Sequence, residues 1–231
     1  MYVFMSLCTK MPYVLCDEET FDDEVLLYYT EEDAQREGKK LIEQRIPIQI
    51  AKIEKKQLLG FFSSLYPMGV NGLLINKNME SEARLQLGEL VIRPNTEDGK
   101  VWVENPQLHL TALYFMQEMR RQEKPELTEE LKGLQEEILV NYGRGRFIVA
   151  VHKENGMPML KQKNGDAYQP IFTDILEFRK FNKEDQFKTM AIEAKNVPKM
   201  LVNEAKGVVI NPYGVNLQIP IVRPEEPQEK K

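Results

Sequence analysis

Apolar runs separated by short polar segments divide the first third of the chain into alternating strands and helices. Thr30, with Asp33 three residues later, has the spacing of a helix cap and ends a run of apolar residues. Such a run followed by a cap predicts a buried strand and then a helix, whose inner stripe includes Ala34 and Leu41. The predicted elements are strand 25–29, helix 31–44, strand 47–53, a helix over 58–65 and strand 72–76.

The same succession of elements returns in the last third of the chain. Three motifs recur in order: a Met-Pro pair, an aromatic-Thr-acidic step, and a Gly-apolar-apolar-Ile-Asn strand. Their members are Met11-Pro12 and Met157-Pro158, Tyr29-Thr30-Glu31 and Phe172-Thr173-Asp174, and the strands 72–76 and 207–211, with Thr173 aligned on Thr30. We therefore predict an α/β (or α+β) protein of two related small mixed-sheet domains, with helices packed on the sheets.

Two helices are predicted between the copies, over 105–122 and 127–140. The first begins with Asn105 as N-cap followed by Pro106, and the second has apolar residues at intervals of three and four. The simplest assignment places both helices in the second domain. The predicted domains are 1–95 and 96–222, and 223–231 is predicted to be a disordered tail because it has little apolar surface to bury.

Polar residues follow the predicted strands of the second domain and mark one rim of its sheet. Open α/β sheets bind ligands outside the carboxyl ends of their strands. The candidate residues for binding a ligand or partner are Thr173, Asp174, Asn196, Asn211, Pro212, Tyr213 and Gly214. The last four fit a type I turn, with Asn, Pro and Gly at favoured positions, and that turn would present Tyr213 to a partner.

Structural roles also account for these residues. Asp174 precedes Glu177 by three positions, which is the spacing of a helix N-cap. The turn also fits a connection that simply starts the next strand, with Tyr213 packed locally. Structural roles are expected for His109 and His152 and for a core Trp102. Arg120, Arg121, Arg144 and Arg146 are expected to be solvated, as charges beside helix ends usually are; the alternative is that together they bind a phosphate or an acidic partner.

The sequence predicts no catalytic residues, no metal site and no cofactor. Cys8 and Cys16 are the two cysteines, and their spacing differs from the C-x-x-C arrangement of metal and redox sites, so buried, inert thiols are expected. Neither histidine stands near a nucleophile motif, and neither glycine-rich phosphate-binding motif occurs. The chain is more consistent with a binding protein than with an enzyme.

Charge and hydropathy narrow the classes of partner. The chain has 31 Lys and Arg against 36 Asp and Glu, a net charge of −5, whereas binding to nucleic acid or an anionic membrane needs a clustered basic excess. No apolar stretch approaches the roughly 20 residues that cross a bilayer, and the first residues lack the leading charge of a secretory signal. A cytoplasmic protein without a nucleic-acid or membrane partner is predicted.

The second copy resembles the N-terminal domain of the bacterial SseB (enhanced serine sensitivity) family. The resemblance covers about 107–217 and rests on the segments 169–174 and 207–214, which ends in the N-P-x-G turn. The first copy is similar only in part, because Lys77 and Asn78 stand where the turn would have Pro and an aromatic residue. The resemblance implies a bacterial cytoplasmic α/β protein with no agreed catalytic residues.

Two functional hypotheses follow. The first is a non-enzymatic adaptor that presents the Tyr213 rim to a protein partner of unknown identity. The alternative is a sensor or enzyme that holds a small polar ligand with Thr173, Asp174, Asn196 and Asn211. A concave site on the rim with an acid of perturbed pKa would favour the ligand, whereas a flat apolar patch would favour the partner.

Overall fold

Two mixed β-sheets of six strands each organise the chain in the computed structural model, which describes residues 1–92, 102–152, 154, 156–162 and 164–222. Helices cover both sheets. The predicted α/β class, with two mixed-sheet units and helices packed on them, is therefore confirmed. The predicted boundary between residues 95 and 96 and the predicted tail 223–231 lie outside the described residues.

The strands of the first sheet are Tyr2–Ser6 (β1), Val14–Cys16 (β2), Asp23–Tyr28 (β3), Ile48–Lys52 (β4), Gly72–Ile75 (β5) and Ala83–Gln86 (β6). Their order is β4-β1-β3-β5-β6, with β2 paired to β3. The pair β3 and β5 is parallel, and the other described pairs in this sheet are antiparallel.

The second sheet has the same arrangement. Its strands are Arg146–His152 (β7), Leu160–Lys161 (β8), Ala167–Phe172 (β9), Phe187–Glu193 (β10), Ala205–Ile210 (β11) and Leu217–Pro220 (β12). Their order is β10-β7-β9-β11-β12, with β8 paired to β9. Again the central pair β9 and β11 is parallel and the other described pairs are antiparallel. The prediction that the two units are related copies in tandem stays a prediction.

Seven α-helices occur in the described residues, and some of them follow equivalent strands in the two units. They are Glu31–Glu43 (α1), Leu58–Leu65 (α2), Leu87–Leu90 (α3), Pro106–Arg121 (α4), Glu129–Arg144 (α5), Ile175–Phe181 (α6) and Val197–Met200 (α7), with short 3-10 helices at Lys55–Gln57, Tyr66–Met68 and Ala194–Asn196. Thus α1 follows β3 as α6 follows β9. Within the described ranges, no helix combines the length and apolar character needed to cross a membrane.

Two helix ends differ from the prediction. The helix expected to stop at Val140 continues to Arg144, and its last turn places the Tyr142 ring on Phe147, with 5.2 Å between ring centroids. Tertiary packing of this kind outweighs the weak helix propensity of Gly143. Val197, Met200, Leu201 and Ala205 have the spacing of one helix face, but the helix ends at Met200, because Ala205 pairs with Ala167 in the sheet.

The β3 strand explains how the layers form. Every residue from Glu24 to Tyr28 is buried, and successive side chains of a strand point to opposite faces. Val25 and Leu27 enter one large hydrophobic cluster, whereas Leu26 and Tyr28 pack in a separate cluster beneath α1. The second sheet divides in the same way, with its outer cluster packed against α6.

The α4 helix lies in the large cluster that contains residues of both sheets. It is buried on more than one side, as expected of a helix packed between layers. Its polar residues also bind the first unit: Gln117 Nε2 donates to the carbonyl oxygen of Val14 at 3.2 Å, and the Tyr114 hydroxyl donates to Asp23 at 2.6 Å. The helix assigned from sequence to the second domain thus contacts both units.

The structure also shifts the alignment of the two units by one residue. Thr30 is the N-cap of α1 and Asp174 is the N-cap of α6. In the parallel pairs, Leu27 lies beside Ile75 and Ile171 beside Ile210. Thr30 therefore corresponds to Asp174, and Thr173 corresponds to Tyr29. The sequence match placed Thr173 on Thr30 because both positions share a residue type, whereas the helix cap sets the structural register.

Candidate partner-binding site at the strand ends of the second sheet

The strands β9, β10 and β11 end at one rim of the second sheet. β11 runs parallel to β9, and β10 and β9 are both antiparallel to β7, so the three share one direction. Thr173 follows β9 and Asn211 follows β11, on neighbouring strands. Asn196 lies beyond the end of β10, and β7 separates β10 from β9. The rim therefore brings Thr173 and Asn211 together but leaves Asn196 apart.

Asn211 joins the ends of the two parallel strands. Its backbone is left-handed, with φ of 47°, a conformation that Asn tolerates better than most residues. Its side-chain Oδ1 accepts from the Thr173 amide at 3.0 Å, and its Nδ2 donates to the Thr173 hydroxyl at 2.8 Å. Both residues are fully buried. The carboxamide thus acts as a clamp between β11 and β9.

A histidine from α4 completes this polar cluster. The Thr173 hydroxyl donates to Asp174 Oδ2 at 2.8 Å, and His109 Nδ1 lies 3.2 Å from the same hydroxyl and 3.5 Å from Asp174 Oδ2. Thr173, Asp174 and His109 are all buried. Asn105 adds a further link, because its Nδ2 donates to the Thr173 carbonyl oxygen at 2.9 Å. The polar groups predicted to hold a ligand therefore bind one another.

The charge of Asp174 is stabilised within this cluster. Burial by itself raises the pKa of Asp174. Hydrogen bonds from His109, Thr173 and the Glu177 backbone lower this pKa by more than burial raises it, so the pKa of Asp174 lies below the usual value. Asp174 Oδ1 also accepts from the Leu176 and Glu177 amides, at 2.8 and 3.0 Å. Asp174 is thus the N-cap of α6, which is the structural role that its sequence spacing indicates.

The turn 211–214 has the hydrogen bond expected of it, from the Gly214 amide to the Asn211 carbonyl oxygen at 2.8 Å. Gly214 packs closely on its neighbours. A Cβ at this position would lie 2.8 Å from Glu177 Oε2 and 3.3 Å from the sulfur of Met11. Glu177 is itself buried and bound to Lys180. The turn is therefore held against α6 and against a loop of the first unit.

Tyr213 is the exposed member of the predicted site. Its side chain is 58% exposed, whereas Pro212 is half-buried and Gly214 is buried. The Tyr213 ring lies 6.0 Å from the Phe181 ring, which in turn lies 5.2 Å from Phe187 at the start of β10. The expectation of an outward-facing Tyr213 is met by its exposure, and the ring also contacts Phe181.

A groove of about 210 Å³ runs beside these rings. We define the Tyr213 surface as Tyr213, Phe181, Phe187, Asn182 and Lys183, all of which line this groove. The groove lining combines three aromatic rings with polar and charged side chains. Such a combination of rigid rings and polar groups is typical of protein-binding sites.

The first unit has a matching clamp but a different surface. Asn76 also has a positive φ, of 51°, and its Oδ1 accepts from the Tyr29 amide at 3.1 Å. Two residues after Asn76, the side chain of Asn78 donates to Glu37 at 3.0 Å. Those positions correspond to Tyr213 and Phe181. The clamp is therefore common to both units, whereas the aromatic pair belongs to the second.

The cysteines add no evident chemistry. Cys16 is exposed and Cys8 is half-buried, so the expected burial of both thiols is wrong. Cys16 ends the short strand β2, which leaves its side chain outside the core. Burial raises the pKa of Cys16, and the carboxylates of Asp23 and Asp17 raise it further, so little reactive thiolate forms. Among the described residues, no group of three or more His, Cys, Asp or Glu side chains is arranged to hold a metal ion.

Several contributors to the site were not assigned to it from sequence. His109 is separated from Thr173 by 64 residues, and Phe181 and Phe187 flank the loop between α6 and β10. Phe181 carries a detectable signal, since it follows Ile175 and Phe178 at helical spacing. His109 has no local signal, because its contact depends on how α4 packs against the sheet.

No protein-family model, curated protein or solved structure matches the chain.

Proposed function

We propose that this protein is a non-enzymatic, bacterial, cytoplasmic adaptor of the SseB family, whose second domain binds a protein partner through the Tyr213 surface. The observation that carries the proposal is an exposed tyrosine on a turn held at both ends. Asn211 anchors one end through Thr173, and at the other end the Gly214 amide closes the turn by donating to the Asn211 carbonyl oxygen at 2.8 Å. A ring held in this way loses little conformational entropy on binding, which favours affinity.

The buried cluster supports a partner over a small ligand. Thr173, Asp174 and Asn211 direct their polar groups at one another or at the α6 backbone, so a ligand would have to displace satisfied hydrogen bonds. Removing such bonds from buried groups is costly. The groove beside Tyr213 is open to solvent, and none of Thr173, Asp174 and Asn211 lines it. The alternative function, a sensor or enzyme for a small polar ligand, therefore has less support.

The test compares two tyrosines of nearly equal exposure. Tyr213 is 58% exposed and Tyr29 is 59% exposed, and the two lie at the strand ends of different units. Affinity-tagged wild type, Tyr213→Ala and Tyr29→Ala would be used to capture proteins from a bacterial lysate, with quantification by mass spectrometry. We expect a partner that is retained by Tyr29→Ala and lost with Tyr213→Ala. Equal capture by the wild type and Tyr213→Ala would contradict the proposed surface.

A stability measurement accompanies this comparison. Tyr213 contacts Phe181 at its margin, and exposed substitutions usually change the free energy of unfolding by less than about 0.5 kcal/mol. Thermal unfolding of Tyr213→Ala should therefore resemble that of the wild type. A large fall in its melting temperature would show that Tyr213 acts mainly in packing.

A further inference from the structure

The strand β10 forms one edge of the second sheet. It pairs with β7 along all seven of its residues, from Phe187 with His152 to Glu193 with Arg146, without a bulge. Three consecutive uncharged residues, Thr189, Met190 and Ala191, are exposed at its centre. Proteins commonly blunt a long edge strand with a bulge, a central charge or a covering element. None of the described residues provides such protection at the centre of β10.

The outward hydrogen-bonding groups of β10 can be identified from its neighbours. The Ala194 amide donates to the Gly145 carbonyl oxygen at 3.0 Å, which continues the inward-facing ladder. The backbone amide and carbonyl of Phe187 point away from β7, because both bind the side chain of Asn182, at 3.0 and 2.9 Å. Alternation along an antiparallel strand then directs the backbone groups of Thr189 and Ala191 away from β7.

The side chain of Asn182 occupies the place of the first residue of an additional strand beside β10. Its carboxamide donates to and accepts from Phe187 as a peptide group of a neighbouring strand would. Beyond Phe187, the outward amides and carbonyls of Thr189 and Ala191 have no partner among the described residues. The edge is therefore closed at the Tyr213 surface and open from there along the strand.

The charges beside this edge favour an acidic partner. Lys183 lines the groove and Lys188 lies on β10; both are exposed, and neither has an ion-pair partner in the described part of the chain. The nearby Glu193 is bound to Lys195 at 2.6 Å, and Glu177 is bound to Lys180. Glu184 also lines the groove, and among the described residues its carboxylate has no ion pair, only a hydrogen bond from Gln186 Nε2 at 2.7 Å. Lys183 and Lys188 against this one carboxylate leave a net positive charge among the three side chains.

We infer that β10 binds an extended, acidic segment of a partner protein as an additional strand, with an apolar side chain of that segment in the aromatic groove of the Tyr213 surface. The backbone of Thr189 and Ala191 provides the hydrogen bonds, as in other cases of strand addition. Lys183 and Lys188 select for acidic residues. This inference rests on the proposed function, since it specifies the partner that the Tyr213 surface binds.

The decisive substitution is Ala191→Pro. Proline removes the outward amide, and it is tolerated at edge positions whose N–H faces away from the sheet. Ala191→Val is the matched control, because it changes the side chain and keeps the amide. The probe is a displayed library of random 12-residue peptides selected on the wild type. The enriched peptides are then synthesised and titrated against each variant by fluorescence anisotropy.

We expect the enriched peptides to combine acidic and apolar residues and to bind Ala191→Pro at least about tenfold more weakly, because interface hydrogen bonds are lost. Ala191→Val should bind as the wild type does. In the complex, hydrogen exchange of the Thr189 and Ala191 amides should slow. Failure to enrich any peptide, or equal affinity for Ala191→Pro and the wild type, would overturn the inference.

A second variant covers the case in which Ala191→Pro fails to fold. Lys183→Glu combined with Lys188→Glu reverses the unpaired charges without touching the backbone, and it should weaken the enriched peptides by a similar factor. If Tyr213→Ala abolishes peptide binding while both β10 variants retain it, the proposed function stands and strand addition is wrong. If none of the variants affects binding, both are wrong.

Sedimentation of the purified protein identifies the competing occupant. An acidic partner segment predicts that wild type and Ala191→Pro have the same oligomeric state. A wild-type dimer that dissociates in Ala191→Pro would show that β10 pairs with a second copy of this chain, and it would exclude the acidic segment as the occupant.

Discussion

The Asn211 side chain satisfies two groups of Thr173 while its own backbone adopts the left-handed conformation that begins the turn. The local sequence accounts for the left-handed backbone but not for the side-chain bonds to Thr173. An Asn before Pro is a common first residue of a turn, where its side chain usually binds the backbone two residues later. Here the carboxamide instead binds a residue 38 positions earlier in the chain. The same residue type therefore does a different task from the one its motif suggests.

Replacing Asn211 by glycine tests the clamp without backbone strain. Glycine adopts a positive φ freely, so Asn211→Gly removes only the side-chain bonds and leaves the buried Thr173 amide unsatisfied. We expect the free energy of unfolding to fall by about 2 to 3 kcal/mol, measured by urea denaturation. Asn216→Gly is the control, since Asn216 has an almost identical φ of 48° and is half-buried, and it should cost far less. Equal losses in both variants would refute the clamp.

At the scale of elements, the helix caps were the most informative local signals. Thr30 accepts from the Asp33 amide at 3.1 Å, and Asp174 accepts from two amides of α6, as their spacing indicates. Asn105 is a partial exception. It occupies the N-cap position of α4, but its side chain makes no cap bond and instead donates to the carbonyl oxygens of Arg146 and Thr173. The local sequence therefore predicts the position of Asn105 at the start of α4, whereas the tertiary structure determines which groups its side chain binds.

The start of α4 packs closely on a glycine of the first unit. Gly69 has a φ of +88°, and a Cβ there would lie 2.6 Å from the Pro106 carbonyl oxygen and 2.9 Å from Leu110 Cβ. Gly69→Ala therefore adds a clash to the strain of a positive φ. We expect the free energy of unfolding to fall by about 2 kcal/mol or more.

Gly165→Ala is the matched control for that substitution. Gly165 has the same φ of +88°, but no described residue lies within 4 Å of its Cβ position. The control should lose only the cost of backbone strain, about 1 kcal/mol. Thermal or urea unfolding of the two variants would separate the cost of backbone strain from the cost of the clash. Similar falls in the free energy of unfolding would mean that the contact between Gly69 and α4 contributes little.

At the scale of the whole molecule, Arg120 connects the two units directly. Its guanidinium donates to the carbonyl oxygen of Cys8 in the first unit, at 2.7 Å, and to those of Val215 and Asn216 in the second, at 2.8 and 3.0 Å. The residue was expected to be solvated, and its half-buried position between the units is therefore a correction. Burial lowers the pKa of Arg120, but a guanidinium remains charged at neutral pH.

Arg120→Met should reduce the free energy of unfolding by about 2 to 4 kcal/mol, because three carbonyl groups lose a charged donor. The neighbouring Arg121→Met is the control. Arg121 forms an ion pair with Glu118 within the same helix, and both side chains are about one-third exposed, so its loss should stay within about 0.5 kcal/mol. Urea denaturation followed by far-ultraviolet circular dichroism measures both. Equal stability of the two variants would show that Arg120 does not bind the units together.

The sequence by itself determined the α/β class, the order of most elements, the cap at Asp174 and the turn at residues 211–214. Each depends on interactions within about four residues or on the period of apolar positions, so it can be recognised along the chain. The shared core, the buried cluster and the open edge of β10 were decided only by the tertiary structure.

These features could not be recognised in the sequence because the residues that form them are far apart along the chain. Arg120 and Cys8 are 112 positions apart, and His109 and Thr173 are 64 apart, so their contacts depend on how α4 packs between the sheets. Trp102, expected in the core, is 53% exposed for the same reason: residue type indicates a preference for burial, but the packing of helices on sheets determines which apolar side chains are covered.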